Sequence, residues 1–172
     1  MRVAAGGKTE NGHPKEYSES FSLSPCAAGD VIVRLIGPEF QKIDVVDEKN
    51  NIVCVGAGVQ IGELDKILYE KYKLCLPTSS LIGFVTFVGL ITNAGHGTGR
   101  NEGSVAELIV AITFCLPNGE ILRIDAEHLD FETIRACNLG LFGVILNVEI
   151  KCAPAKKLQC VMEARSINEL VQ

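Results

Sequence analysis

The chain has 172 residues, 47% of them hydrophobic, and a formal net charge of −5. This length suits one domain or two small lobes that share a core, and the apolar content excludes a disordered chain. The acidic balance, the lack of a long basic run and the absence of tryptophan argue against nucleic-acid binding. We find no secretory signal, and the apolar run over residues 81–94 is too short and glycine-interrupted to span a membrane.

Cysteine usage indicates the redox environment. The chain has seven cysteines, an odd number, and none of them forms a CxxC or CxH pair. Most lie in apolar segments, where a free thiol behaves as a small buried hydrophobic group. We therefore expect reduced thiols, no metal site and a cytoplasmic protein. The cysteines are Cys26, Cys54, Cys75, Cys115, Cys137, Cys152 and Cys160.

The first third of the chain predicts short strands. A strand should run into a tight turn at Gly6-Gly7, and a polar loop over residues 8–24 should follow. Two later β-branched segments on either side of the turn at residues 47–51 predict a β-hairpin. The predicted strands cover residues 2–5, 30–35, 40–46 and 52–58.

The period of apolar residues changes after residue 60. Between residues 61 and 71 they recur with helical spacing, and this predicts an amphipathic helix. Its other face carries charged residues, which we expect to be in solvent. These charged residues are Glu63, Asp65, Lys66 and Glu70.

The last third predicts two more strands of a hairpin, a helix and a final strand. Ser104 precedes Glu107 by three residues, the spacing of a capping box at a helix start. The predicted hairpin pairs residues 110–116 with 121–124, and a helix over 131–136 precedes the strand over 143–151.

The glycine–histidine loop (residues 93–99) reads Asn-Ala-Gly-His-Gly-Thr-Gly. Glycines allow close approach of a ligand to the backbone, and successive N–H groups in such a loop suit an anion such as a phosphate. A glycine-rich turn between two buried elements is the alternative, since a short glycine motif is weak by itself.

Four motifs occur in a fixed order. They are the strand into Gly6-Gly7, the turn over residues 55–59 before a helix, the glycine–histidine loop, and residues 139–148, which read LGLFGVILNV. This order resembles the vanillyl-alcohol-oxidase-type (PCMH-type) FAD-binding domain, and most of all that of sugar-lactone oxidases such as gulonolactone and arabinonolactone oxidases. The resemblance covers about residues 2–154.

The resemblance implies an α+β fold of two lobes with FAD held between them. It implies a remnant of the first lobe over residues 1–55, the second lobe over 56–154, and the start of a linker or cap over 155–172. Family members have more chain before the first glycine turn and a C-terminal cap domain after the second lobe. We therefore expect this chain to be truncated at its N-terminus and to lack the cap.

The resemblance also implies which residues bind FAD. The first turn would meet the pyrophosphate through backbone N–H groups, and Val144 and Ile145 would contact the adenine end. His96 would contact the cofactor or brace the loop, an alternative that stays open. The implied cofactor-binding residues are Ala5, Gly6, Gly7, Lys8, Thr9, Thr86, Gly89, Thr92, Asn93, Gly95, His96, Gly97, Thr98, Gly103, Ser104, Val144 and Ile145.

Two positions depart from the family pattern. Many members carry a histidine in the first turn that bonds covalently to the flavin. Lys8 stands there in this chain, so we predict non-covalent FAD, with His13 as the alternative attachment point. At Ala94 a Cβ stands where glycine is usual, and we expect it to crowd the ligand.

The implied function is that of an FAD-binding module in a flavin-dependent oxidoreductase. Its substrate would be a sugar lactone or a related CH–OH compound that binds through the cap domain, and hydride would pass to flavin N5. No catalytic residue is assigned. The alternative is a degenerate, non-catalytic module for flavin or protein binding. We expect association with itself or with a second chain through the surface that a cap would cover.

Overall fold

The structure, a computed structural model, describes residues 2–5, 32–35, 37–164 and 166–170. It contains an antiparallel central sheet and short helices, so the predicted α+β class is confirmed. The strands are β1 (Arg2–Ala5), β2 (Ile32–Leu35), β3 (Ile43–Asp47), β4 (Ile52–Gly56), β5 (Leu74–Cys75), β6 (Ile109–Cys115), β7 (Ile121–Asp125), β8 (Val144–Lys151) and β9 (Ala153–Pro154). The helices are α1 (Ile61–Ile67), α2 (Phe87–Ile91), α3 (Phe131–Ala136) and α4 (Ile167–Leu170), with 3-10 turns at Pro38–Gln41 and Val105–Leu108 and a π-helical turn at Leu68–Tyr72.

A five-stranded antiparallel sheet forms the centre of the fold, in the order β3-β4-β8-β6-β7. Buried and more exposed side chains alternate along its strands, because one face of the sheet must be apolar to cover a core. Val53 and Val55 on β4 and Val148 and Ile150 on β8 are fully buried. The fully buried side chains of α1 and α2 join the same core, so both helices are anchored to the sheet.

Several predicted elements are confirmed. The hairpin of β3 and β4 and the hairpin of β6 and β7 both form, and α3 covers the predicted residues. The predicted capping box is present, but it begins a short 3-10 turn at Val105–Leu108. Each of these elements depends on local signals, which are the turn residues, the alternation and a cap.

The helix predicted over residues 61–71 is confirmed with a different ending. It is α-helical to Ile67, continues as the π-helical turn to Tyr72, and stops at Lys73 in the left-handed region with φ 57°. Of the four charged residues expected in solvent, Glu63, Lys66 and Glu70 are exposed and Asp65 is half-buried. Burial raises the pKa of the Asp65 carboxyl, and the neighbouring Ser79 hydroxyl offsets part of that rise.

The strand predicted from residue 40 begins later, at Ile43. Phe40 is part of a 3-10 turn instead, and its carbonyl oxygen accepts a hydrogen bond of 2.8 Å from the N–H of Gly58. A Cβ on Gly56 would overlap the same carbonyl, so the glycines after β4 allow that turn to pack directly on the backbone.

The domain boundary expected after residue 55 falls inside β4. Since β4 pairs with β3 on one side and β8 on the other, the chain on both sides of that boundary contributes to one sheet. Before residue 37, the described chain consists of β1 and β2. These two strands pair in parallel and are not part of the five-stranded sheet.

Candidate cofactor site

Helix α2 leads into the glycine–histidine loop, and it begins at a defined cap. Thr86 is 5% exposed and accepts a hydrogen bond of 3.2 Å at Oγ1 from the N–H of Gly89. At the other end, Thr92 Oγ1 and Asn93 Nδ2 both donate to the carbonyl of Gly89, at 2.9 and 3.0 Å. These predicted cofactor-binding residues therefore hold the helix together, a role that sequence reasoning did not assign to them.

The C-terminus of α2 ends in a Schellman motif. The N–H of Gly95 donates to Leu90 O and that of Ala94 to Ile91 O, with Ala94 in the left-handed region at φ 53°. Glycine is preferred at this position because a Cβ strains a left-handed backbone. The Ala94 Cβ is thus carried by a left-handed residue, and the crowding of a ligand that we expect from it stays a prediction.

His96 is exposed on the loop beyond this cap. Its Nδ1 lies 2.8 Å from the carbonyl oxygen of Gly97, and its backbone forms an isolated antiparallel bridge with Ser104. A carbonyl can only accept, so the contact assigns the proton to Nδ1 and leaves Nε2 as the acceptor of the neutral ring. The ring orientation is therefore set by the loop itself.

The glycines of the loop face different neighbours. A Cβ on Gly95 would overlap the Leu90 side chain, and one on Gly97 would lie 2.7 Å from Ser79 O. A Cβ on Gly99 would meet only the side chain of Glu102, which can move. Gly95 and Gly97 are thus required by packing against the protein, whereas Gly99 faces outwards.

The outer part of the loop has the donors that an anion needs. Thr98 and Gly99 are exposed, and within the described residues their N–H groups donate to no backbone carbonyl. Beneath the loop, the buried Ser79 Oγ lacks a hydrogen bond of regular geometry, although Asp65 is its neighbour. Unsatisfied donors on an exposed glycine turn fit a phosphate-containing ligand.

Residues 137–143 pack against the C-terminal end of α2. The N–H of Leu139 donates to Thr92 O at 3.0 Å, and three residues of this segment have left-handed φ, namely Leu139, Gly140 and Gly143. Asn138 is 1% exposed; its side chain donates to Ile134 O and accepts from the N–H of Gly140. This buried asparagine organises the segment, and the sequence signal that could have located it is its position directly before a glycine turn.

Val144 and Ile145 follow this segment at the start of β8. Both side chains are buried, and their strand pairs with Cys115 and Phe114 of β6. Because these two side chains belong to the core, a ligand at this end of β8 would contact mainly the backbone.

The first predicted turn lies mostly outside the described residues. Ala5 is the last described residue of β1 and pairs with Leu35, whose carbonyl oxygen lies 2.7 Å from the place of a Cβ on Gly58. The chain continues from Gly58 to Val59, whose carbonyl accepts from the N–H of Phe87 at the start of α2. The end of β1 is thus linked through two backbone contacts to α2, whereas Gly6, Gly7, Lys8, Thr9 and His13 are outside the described residues.

The structure brings together the predicted cofactor-binding residues of the second half of the chain. The outer loop is joined to Gly103 and Ser104, because the N–H of Val105 donates to Gly95 O at 2.8 Å.

No group of His, Cys, Asp and Glu side chains that could hold a metal ion occurs within the described residues. In the same part of the chain, no helix is long and apolar enough to cross a membrane.

Comparison with known protein families shows to which family this chain belongs. Residues 18–125, more than half of the chain, match the family described as FAD binding domain. The chain therefore belongs to the FAD-binding domain family, and the predicted PCMH-type resemblance is confirmed.

The relatives by sequence are sugar-lactone oxidases. L-gulonolactone oxidase of Bos taurus is 31% identical over 171 residues, which is 98% of this chain and 38% of the relative. A putative D-arabinono-1,4-lactone oxidase of Neurospora crassa is 32% identical over 69% of this chain and 21% of the relative. The chain thus spans well under half the length of these relatives.

Solved structures share the fold. A carbohydrate oxidase from Microdochium nivale superposes with a TM-score of 0.67 at 23% identity, over 91% of this chain and 32% of that one. The 6-hydroxy-D-nicotine oxidase of Arthrobacter nicotinovorans gives a TM-score of 0.66 at 22% identity, over 90% of this chain and 31% of that one.

Proposed function

We propose that this chain binds FAD and forms the cofactor-binding part of a flavin-dependent oxidoreductase that acts on a sugar lactone or a related CH–OH group. The observation that carries the proposal is the family match over residues 18–125, which includes the whole glycine–histidine loop. The lactone oxidases among its relatives support the substrate class.

The residues of the loop suit parts of such a ligand. The N–H groups of Thr98 and Gly99 are placed to donate to a negatively charged or carbonyl oxygen, and Nε2 of His96 to accept a hydrogen bond. The start of β8 offers backbone groups beside an apolar wall, which suits a flat aromatic ring. FAD, when bound, supplies the two-electron acceptor at flavin N5 to which a substrate hydride passes.

We propose that the FAD is held without a covalent bond, since lysine stands at position 8 of the first turn. Acid precipitation tests this directly. If the yellow colour stays in the supernatant, the flavin is non-covalent. If it stays with the pellet and is lost in His13→Ala, the attachment is through that histidine.

A degenerate flavin-binding or interaction module is a second candidate. The observation that favours it is the left-handed Ala94 at the end of α2, where the loop carries a strained residue. This module would bind FAD weakly or not at all, and it would catalyse no oxidation.

Titration of the purified protein with FAD separates these functions. We expect quenching of flavin fluorescence and a rise in Tm, because a ligand that binds only the folded state stabilises it. A Tm indifferent to FAD contradicts the proposal. Bleaching of the bound flavin by L-gulono-1,4-lactone under anaerobic conditions rules out the non-catalytic module.

We also propose that the protein resides in a reducing compartment such as the cytoplasm. All six cysteines within the described residues are free thiols, as expected for such a location. Microscopy of a fluorescently tagged chain in its own cells tests this location.

A further inference from the structure

The C-terminal segment (residues 157–163) lies outside the helices and strands and carries apolar side chains in solvent. Leu158 and Met162 are each 92% exposed and Val161 is 67% exposed. Among the described residues, the backbone groups of 157–162 form no backbone–backbone hydrogen bonds. A segment without backbone–backbone hydrogen bonds in the described structure and with exposed apolar side chains is suited to pairing as a strand with another chain.

The residue pattern gives the segment two faces when it is a strand. Leu158, Cys160 and Met162 alternate with their neighbours, so they share one face. The other face carries Lys157 at one end and Glu163 at the other, both exposed. One side of the strand is therefore apolar, and the other has opposite charges at its two ends.

The sequence around Cys160 is complementary to itself when it is read in the opposite direction. In an antiparallel pair centred on Cys160, Lys157 lies opposite Glu163 of a second copy and Leu158 opposite Met162. Gln159 then lies opposite Val161, and the two Cys160 residues face each other at a two-fold axis. A parallel pair in register would instead place like charges together, which is unfavourable.

We propose that two copies of this chain associate through the C-terminal segment as an antiparallel, two-fold symmetric pair of strands. The interface is isologous, since each copy offers the same residues to the other. It pairs the backbone groups of residues 157–162, brings Leu158, Cys160 and Met162 of both copies together on one face of the ribbon, and forms two Lys157–Glu163 ion pairs. Because a two-stranded ribbon is only marginally stable in water, the association is weak and depends on protein concentration.

Charge reversal tests the pairing with matched variants. In sedimentation velocity over a concentration series, Lys157→Glu and Glu163→Lys should each weaken dimer formation by about tenfold, since each reversal creates two like-charge pairs per dimer. The double variant K157E/E163K restores opposite charges and should dimerise as the unchanged chain does. Equal Tm values show that all variants remain folded.

Oxidation of Cys160 provides a second measurement. With diamide, which accepts the two electrons and two protons released by two thiols, a Cys137→Ser chain should form a disulfide-linked dimer. The Cys160→Ser chain, which keeps the exposed Cys137, should not. Directly opposed strand residues have Cα separations that a disulfide can span.

A monomer at every concentration overturns the proposal, and so does a double charge variant as weak as the single ones. Neither measurement involves FAD, and the substituted residues are not among the predicted cofactor-binding residues. FAD titration of the K157E variant therefore reports on cofactor binding alone.

Discussion

The glycine-rich stretch from residue 86 to residue 103 has two parts that use similar residues differently. In residues 86–95, threonine and glycine form the two caps of α2 and face the protein. In residues 96–103, histidine, threonine and glycine are mostly exposed, except Gly97, which packs against Ser79. The N–H groups of Thr98 and Gly99 form no hydrogen bonds to the described backbone. A glycine motif can thus combine a part that the fold requires with a part that is free for a ligand.

The largest effect is expected at Gly95. In Gly95→Ala the new Cβ overlaps the Leu90 side chain and lies 3.0 Å from its carbonyl oxygen, so the Schellman motif is disturbed. We expect a loss of about 2 kcal/mol in the free energy of unfolding, measured by urea denaturation. The matched control is Gly99→Ala, which meets only the Glu102 side chain and should be near neutral. Equal losses in both variants would remove the distinction between the two parts.

The N-terminal cap of α2 should have the next largest effect. Thr86→Val removes the Oγ1 that accepts from Gly89 N–H while keeping the shape of the side chain. The expected loss is about 1–2 kcal/mol of unfolding free energy by the same measurement. Thr86→Ser keeps the acceptor and should recover most of the stability; if it does not, the buried methyl group is what matters.

His96 tests the exposed part of the stretch. His96→Ala should leave the Tm of the FAD-free protein unchanged, because the ring is exposed and, among the described residues, its hydrogen bond is to its neighbour Gly97. The affinity for FAD should fall by up to about tenfold, the effect of one lost hydrogen bond. Fluorescence titration measures the affinity. A large fall in Tm with unchanged affinity would instead make His96 a structural brace.

A smaller gain in stability is expected at Ala94. Ala94→Gly removes the Cβ from a left-handed residue, and the relief exceeds the entropy that glycine adds to the unfolded chain. The protein should gain about 0.5–1 kcal/mol, visible as a higher Tm. Leu139→Gly, at φ 50°, is a parallel test on the segment that packs against α2. A decrease in Tm for Ala94→Gly would show that the alanine side chain contributes to packing there.

Asp65, in the layer beneath the loop, should make the stability depend on pH. Burial raises the pKa of Asp65 above its ordinary value of 3.8, so the folded state binds the proton more strongly than the unfolded state. The cost of the charged carboxylate is absent below 3.8 and fully present above the raised pKa. Asp65→Asn should therefore raise the Tm at neutral pH, and the gain should shrink as the pH falls through that window. Glu63→Gln, on the exposed face of α1, is the matched control for the loss of one carboxylate.

Thiol reactivity follows the same contrast between buried and exposed groups. Burial raises the pKa of Cys152 to about 12, so that thiol stays protonated and inert at neutral pH. Cys137 and Cys160 are exposed, and they should react first with a maleimide. Peptide mapping of the labelled sites would measure this order.

Local signals in the sequence predicted much of the fold. Alternation and turn residues located the hairpins β3–β4 and β6–β7, and helical spacing located α1. The order of the glycine motifs predicted the FAD-binding family, which the match over residues 18–125 confirms. The predicted contacts of individual residues with FAD remain predictions.

Other features depended on contacts between residues far apart in the chain. The five-residue helix α2 was not predicted, because its sequence is apolar throughout and has no helical period. Its N-cap residue, Thr86, could be recognised only from the folded structure. Asp65 was expected in solvent, yet it is half-buried beside Ser79.

Sequence alone therefore determined the element types, the fold class and the cofactor family, since periodicity, caps and glycine spacing act over a few residues. Only the tertiary structure decided that Gly56 and Gly95 are required by packing and that Gly99 faces outwards. It also decided that Thr86 stabilises a helix and that Asp65 is half-buried. The physical reason is that burial and close backbone approach depend on which distant segments pack together, and no local pattern records that choice.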